Sequence, residues 1–300
     1  MYKNLKTKIG SLELRNPTLL AAGILGQTKA NLKRVWKSGA GGVITKSVGP
    51  EPKKGYSGPN VVETPCGLLN AMGLPNPGIE NMKKEIKNFK NQEKTIIGSI
   101  FGKNVEEFKK QALRMEETKV GGIELNLSCP HAGELSLIGH DPNLTEQITN
   151  VITNETSIPV WVKLPGNTHL ANLRKVAKSA EKAGADALTI TNTVPGMAID
   201  IDTETPILGH DTGGLSGPAI KPIGVRLVYE IFEKVGIPII GAGGITKGKD
   251  LIEYVLAGAS AVQIGTGIIY RDIDIFEKIC EETLTRLNGQ KIENLIGKAH

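Results

Sequence analysis

The sequence predicts an α/β protein, a (β/α)8 TIM barrel forming one domain over residues 1–300, with an N-terminal hairpin and long active-site loops. Three observations point there. Eight short runs are apolar almost throughout, as strands buried on both faces should be. Amphipathic stretches such as "NLRKVAKSAEKAGA" and "GKDLIEYVLAGAS" lie between them, each closing on a glycine that ends the helix before the next strand. No Gly-x-Gly-x-x-Gly follows the first strand, which weakens the alternative of an open doubly wound sheet.

In chain order, "KTKIGSLELRNP" reads as a hairpin turning on Gly10-Ser11 and plugging the barrel floor. Candidate strands follow at Thr18–Gly23, Gly42–Lys46, Thr95–Phe101, Gly122–Asn126, Pro159–Leu164, Ala187–Asn192, Pro238–Gly241 and Ser260–Gly265. Two connections are too long for simple βα loops. Ser47 to Lys94 is dense in Gly, Pro and Asn, and Thr193 to Gly217 carries "VPGMAIDIDTETPILGHDTGGLS". Both read as long irregular segments leaving C-terminal strand ends, the active face of a barrel, and so as lids or binding loops.

Composition narrows the classes. With 39% hydrophobic and 22% charged residues the chain has ordinary globular make-up. Its net charge of +5 is spread without a clustered stripe, which argues against nucleic-acid binding. The start lacks the apolar core of a signal peptide, and no apolar run approaches the ~18 residues of a membrane span, so a cytoplasmic protein with no membrane partner is expected. The three cysteines, Cys66, Cys129 and Cys280, are too few and too scattered for a disulfide framework or a metal cluster.

The chemistry gathers at the strand tips. The second strand ends in Thr45-Lys46-Ser47 and the fourth in Asn126, with Ser128-Cys129 just beyond. The fifth ends in Lys163 and the sixth in Thr191-Asn192-Thr193. Two lysines at buried strand ends are costly unless they meet an anion or a structural ion-pair partner. The seventh and eighth tips, Gly241–Gly244 and Gly265–Gly267, expose backbone N–H groups beside helix starts, where barrels commonly hold a phosphate; a Gly-Gly pair can also merely make a turn.

Taken together, "TKSV", "NAMGLPNPG", "NLSCP", "VKLPGN", "TNTV", "GAGGI" and "IGTG" resemble the class 1 dihydroorotate dehydrogenases, in the family's order from about Asn16 to Gly267. The resemblance implies an FMN-dependent oxidation of dihydroorotate to orotate in de novo pyrimidine biosynthesis. It makes Cys129 the base that removes the C5 proton, a role that suits a thiol titrating nearer neutrality than a hydroxyl. It places Lys163 near flavin N1 and O2, and Lys46 against both flavin and substrate. Asn70, Asn126, Asn192 and Thr193, with the backbone of Met72, Gly73 and Leu74, are then the substrate's partners. Ala22, Gly23, Ser47, Ser99, Asn126 and Ile190 line the flavin, and Gly217, Gly243, Gly244, Gly265 and Thr266 hold its phosphate.

His131 departs from the commoner "SCPN" pattern and could contact substrate, tune Cys129 or cap its loop. "NLSCPH" also occurs in the flavin barrel of dihydropyrimidine dehydrogenases, the first alternative; a flavin-free phosphate-binding lyase or isomerase is a more distant one. No extension precedes the barrel, which disfavours the membrane, quinone-linked class. Fumarate and NAD remain as acceptors, with the resemblance leaning to the NAD-linked 1B type: a homodimeric core with an FAD and iron–sulfur electron-transfer subunit as partner.

Overall fold

The structure, a computed structural model, describes residues 2–87, 96–128 and 138–300. The chain opens with the expected hairpin, β1 (Thr7–Ile9) against β2 (Leu12–Leu14), turning on Gly10 at a φ of 57°. The alternating units follow as β3 (Thr18–Leu20), α1 (Lys29–Lys37), β4 (Gly42–Ile44), β5 (Val61–Thr64), β6 (Gly67–Asn70), α2 (Ile79–Ile86), β7 (Ile96–Ile100), α3 (Val105–Glu116) and β8 (Gly122–Asn126). Next come α4 (Pro142–Glu155), β9 (Val160–Leu164), α5 (Leu170–Lys182), β10 (Ala187–Ile190), β11 (Val194–Met197), β12 (Ile199–Asp200), β13 (Thr205–Pro206) and β14 (Thr212–Ser216). The chain finishes with α6 (Lys221–Phe232), β15 (Ile239–Ala242), α7 (Gly248–Leu256), β16 (Ala259–Ile264), α8 (Gly267–Arg271) and α9 (Ile275–Leu287).

All eight candidate strands form, and they pair in parallel as one closed barrel in the order β3-β4-β7-β8-β9-β10-β15-β16. The period of two along each strand divides the core. Leu19, Ile44, Ile97, Trp161, Ile240 and Ala261 pack inside with Ile9, Leu12 and Leu14 of the hairpin, which closes the floor. Their neighbours Leu20, Val43, Ile96, Val162, Ile239 and Val262 pack outward with helix residues such as Leu32, Phe108, Ile148, Val176, Leu227 and Val255. Helix ends follow the local signals. Thr28, Asn104 and Asp141 cap α1, α3 and α4 by accepting backbone N–H groups of the first turn. Gly39, Gly184 and Gly258 take positive φ after α1, α5 and α7, as the glycine endings predict.

Two expectations are corrected. The strands stop short of several predicted ends, at Leu20, Ile44 and Ile190, because the tip residues leave the ladder where the barrel opens. The two long connections are not irregular: β5 and β6 from the first join β11 and β14 from the second in a four-stranded antiparallel sheet, ordered β11-β14-β6-β5. Leu69, Ala71 and Leu208 give it a small core of its own, flanked by Val62, Ala198 and Leu215. Strands of four or five residues, three of the four containing glycine, are too short for an alternating pattern to register in sequence, and the pairing of Asn70 with Gly214 spans the two loops.

Buried Asn16 ties the barrel seam to the turn after α1. Its Oδ1 accepts from Thr18 N (3.0 Å) and Thr18 Oγ1 (2.7 Å), and its Nδ2 donates to Gly39 O (2.7 Å). Asn16→Leu strands these groups without partners and is expected to cost about 3 kcal/mol. A lowered urea unfolding midpoint is the signature, and an unchanged midpoint would refute the role.

Candidate active site

At the C-terminal mouth of the barrel, beneath the loop sheet, lies a cavity of about 410 Å³. Nearly every residue singled out from the sequence reaches its wall. β3 and its tip supply Ala22 and Gly23; the end of β4 supplies Lys46 and Ser47; β6 and the turn beyond it supply Asn70, Met72, Gly73 and Leu74. Asn126 comes from β8, Lys163 from β9, and Asn192 with Thr193 from the tip of β10. Gly217, Gly243, Gly244, Gly265 and Thr266 complete the far end.

Two of the predicted flavin-lining residues do not reach it. Ser99 lies fully buried behind Ser47, their Oγ atoms 2.8 Å apart, because the tip of β4 runs across it. Ile190 sits at an outward position of β10, packed in the helical layer. Cys129 and His131 lie outside the described residues.

The asparagines are held by the scaffold itself. Asn126 Nδ2 donates to Ser47 Oγ (3.2 Å), while its Oδ1 accepts from Ser128 N (3.3 Å) and Ser128 Oγ (2.9 Å). Asn192 Nδ2 donates to Ser128 O (3.0 Å) and Ser128 Oγ (2.9 Å), and its Oδ1 accepts from Thr193 N (2.8 Å). Asn70 Nδ2 donates to Gly214 O (3.0 Å). Side chains locked this way meet a ligand at little entropic cost. Ser128 is therefore the hub between the fourth and sixth strand tips, a role that its place beside Cys129 in the sequence does not reveal.

Sequence reasoning also missed Gln263, whose side chain lies on the cavity wall. It belongs to a buried polar layer with Glu124 and Thr189. The available signal was a polar residue at an inward position of an otherwise apolar strand, in "IELN", "ALTI" and "AVQI".

The far end is shaped for an anion. Gly217, Gly243 and Gly244 have φ of 88°, 119° and 71°, a conformation open to glycine and strained for other residues. The backbone N–H groups of Gly244, Gly265 and Thr266 donate to no other described residue. A Cβ on Gly23 would meet nothing within 4 Å, and one on Gly265 only Ala21 Cβ at 3.6 Å, so both backbones face open space. Lysines and backbone N–H groups that donate to no described residue share the wall of one cavity, which suits a ligand carrying a phosphate.

Fold and site thus define a barrel of the enzyme type, with its polar groups gathered at the C-terminal strand ends. The chain belongs to the dihydroorotate dehydrogenase family, whose model, described as dihydroorotate dehydrogenase, matches residues 4–287. That family is flavin-dependent. The dihydroorotate dehydrogenase B (NAD(+)), catalytic subunit, of Methanocaldococcus jannaschii is 46% identical over 303 residues, covering 99% of this chain and 98% of that one. The protein of the same name from Pyrococcus furiosus is 47% identical over 305 residues, covering 99% of both. Among solved structures, the dihydroorotate dehydrogenase of Eimeria tenella in complex with ferulenol superposes with a TM-score of 0.86 over 99% of this chain and 89% of that one; at 22% identity it attests the fold.

Gly265→Val should leave folding intact, because the added side chain enters open space, yet it should fill the cradle. The flavin content of the purified variant is expected to fall at least about tenfold, the scale set by even a ~1.4 kcal/mol loss of binding. Full flavin occupancy in a folded Gly265→Val protein would rule out this cradle.

Proposed function

We propose that the chain is an oxidoreductase that converts dihydroorotate to orotate in pyrimidine biosynthesis, with FMN in the barrel mouth, and that it is the catalytic subunit of an NAD-linked assembly. One observation carries the reading: a single cavity is lined by Lys46, Lys163 and the asparagine set together with the glycine-rich tips of the seventh and eighth strands. The 1B relatives, matched along almost their whole length, support the same activity.

The cradle of Gly217, Gly243, Gly244, Gly265 and Thr266 would hold the phosphate. When bound, FMN supplies a hydride acceptor. Lys163 offers a cation where the reduced ring gathers charge, the kind of tuning a protein contributes to a flavin. Lys46 and the amides of Asn70, Asn126 and Asn192, with Thr193, orient an imide ring and its carboxylate, each amide through the donor or acceptor that its bonds to the scaffold leave open. Backbone groups of Met72, Gly73 and Leu74 close over the substrate. Cys129, following the Ser128 hub, takes the C5 proton. The other two thiols do not compete for that role: Cys66 is exposed away from such company, and burial pushes the Cys280 thiol up to about 12.

The partner is an electron-transfer subunit carrying FAD and an iron–sulfur cluster. A [2Fe–2S] centre usually takes four cysteines, and this chain has three, far apart. Among the described residues no helix is long and apolar enough to cross a membrane.

Cys129→Ala is expected to lose dihydroorotate oxidation by about 10²–10⁴-fold while keeping its flavin. Near-wild-type turnover, or loss of rate and flavin together, would remove Cys129 from the base role. The isolated chain is expected to reduce artificial dyes but not NAD. Rapid NAD reduction without a partner would overturn the partner requirement, and efficient fumarate reduction would move the chain to the self-sufficient subclass.

A further inference from the structure

Beneath the cavity the barrel interior holds a polar chain that leads from Lys163 through three residues the reaction above does not use. Lys163 Nζ donates to Gln263 Oε1 at 3.0 Å. Gln263 Nε2 donates to Glu124 Oε2, and to Thr189 Oγ1 at 3.2 Å. Thr189 Oγ1 in turn donates to Glu124 Oε2 at 2.9 Å. The four residues come from β9, β16, β8 and β10, and Glu124 and Thr189 are wholly buried. Trp161, Ile240 and Ala261 belong to the apolar cluster of the barrel interior around them.

A carboxylate sunk into a barrel core costs several kcal/mol unless its partners are well placed, so a hydrophobic residue would serve packing better. The arrangement explains why a carboxylate stands there. An ammonium only donates and a carboxylate only accepts, whereas an amide does both. Gln263 therefore has one good orientation, oxygen toward Lys163 and nitrogen toward Glu124. Turned over, its oxygen would face the carboxylate and its NH2 the ammonium, two repulsive contacts at once. Glu124 fixes Gln263, and Gln263 fixes Lys163. A direct Lys–Glu pair would draw the ammonium down into the barrel; the interposed amide ties one N–H donor of Lys163, a residue of the cavity wall.

We propose that Glu124 is a positioning residue for Lys163, acting through Gln263 with Thr189 as the buttress. The consequence for a bound flavin rests on the function proposed above; the coupling of Glu124 to Lys163 does not. The two ways Glu124 could influence a flavin have opposite signs. Deleting a buried negative charge by itself raises the flavin midpoint potential. Loosening Lys163 withdraws a cation from the reduced ring and lowers it.

The test compares Glu124→Met, Glu124→Gln, Lys163→Met and the double variant Glu124→Met/Lys163→Met in the full chain. Three quantities are read: the flavin midpoint potential, kcat separately from KM, and the rate at which acetic anhydride labels Lys163, followed by mass spectrometry. Glu124→Met should lower the potential and reduce kcat roughly tenfold with KM little changed, as for other buried partners that orient a functional side chain. That lowering should be absent in the Lys163→Met background, where only the rise from the deleted charge is left. Labelling of Lys163 should accelerate several-fold in Glu124→Met. Glu124→Gln keeps an acceptor without the charge and should recover most of the loss. A potential that rises, an equal shift in both backgrounds, or unaltered labelling of Lys163 would overturn the proposal. If the protein carries no flavin, the FMN reading fails and the labelling arm alone decides the coupling. If Glu124→Met does not fold, Gln263→Met breaks the chain at its middle and gives the same readings.

Discussion

Everything in this molecule depends on the closure between its last barrel strand and its first. β16 pairs with β3 through Val262↔Thr18, Gln263↔Leu19 and Ile264↔Leu20, and Val262 N donates to Pro17 O at 2.8 Å while Ala21 N donates to Ile264 O at 3.0 Å. That seam brings Gly265 and Thr266 beside Ala22 and Gly23, residues more than 240 positions apart in sequence. Without it there is no floor, no common mouth and no cradle. Asn16, at the entry to β3, secures the seam from outside the ladder with hydrogen bonds to Thr18 and Gly39. A closed sheet leaves no edge to fray, so strand tips of this kind can carry glycines and polar groups that would weaken an open sheet.

Closure also sorts polarity by depth. The lowest inward positions, with the hairpin, are apolar. Above them lies the layer of Glu124, Thr189, Gln263 and Lys163, and above that the cavity with Asn126, Asn192 and Lys46. The gradient follows from desolvation. A buried polar group is tolerated where it finds partners, as Glu124 Oε2 does with Thr189 and Gln263. The same gradient lets a cation stand at the cavity wall while its counter-charge stays out of reach of any ligand.

The wall opposite the barrel comes from the loop sheet. Asn70 reaches the cavity because β6 pairs with β14, and its amide is held by Gly214 of that partner strand. Ser216, at the end of β14, accepts from Thr266 Oγ1 at 2.7 Å, so the sheet is fastened to the eighth strand tip as well. The loops after β4 and β10 are therefore one structural unit, and a change in either alters the shape of the same pocket.

The sequence by itself determined the barrel, the floor hairpin and most of the site. Each of these is a local property: eight apolar runs, glycines where helices must end, and motifs standing at strand tips that a barrel necessarily gathers on one face. Most of the residues named from motif resemblance, such as Lys46, Asn70, Asn126 and Gly244, line the cavity for that reason. Tertiary structure alone decided the rest. The loop sheet arose from pairing between distant segments of four or five residues, too short for a periodicity to read. Ser99 fell behind Ser47, and Ile190 turned to the helical layer, because a side chain's facing depends on where the ladder ends. Glu124, Thr189 and Gln263 each look like an isolated polar residue in an apolar run. They form one chain because closing the barrel sets four strands around the same axis, a relation that no linear spacing encodes.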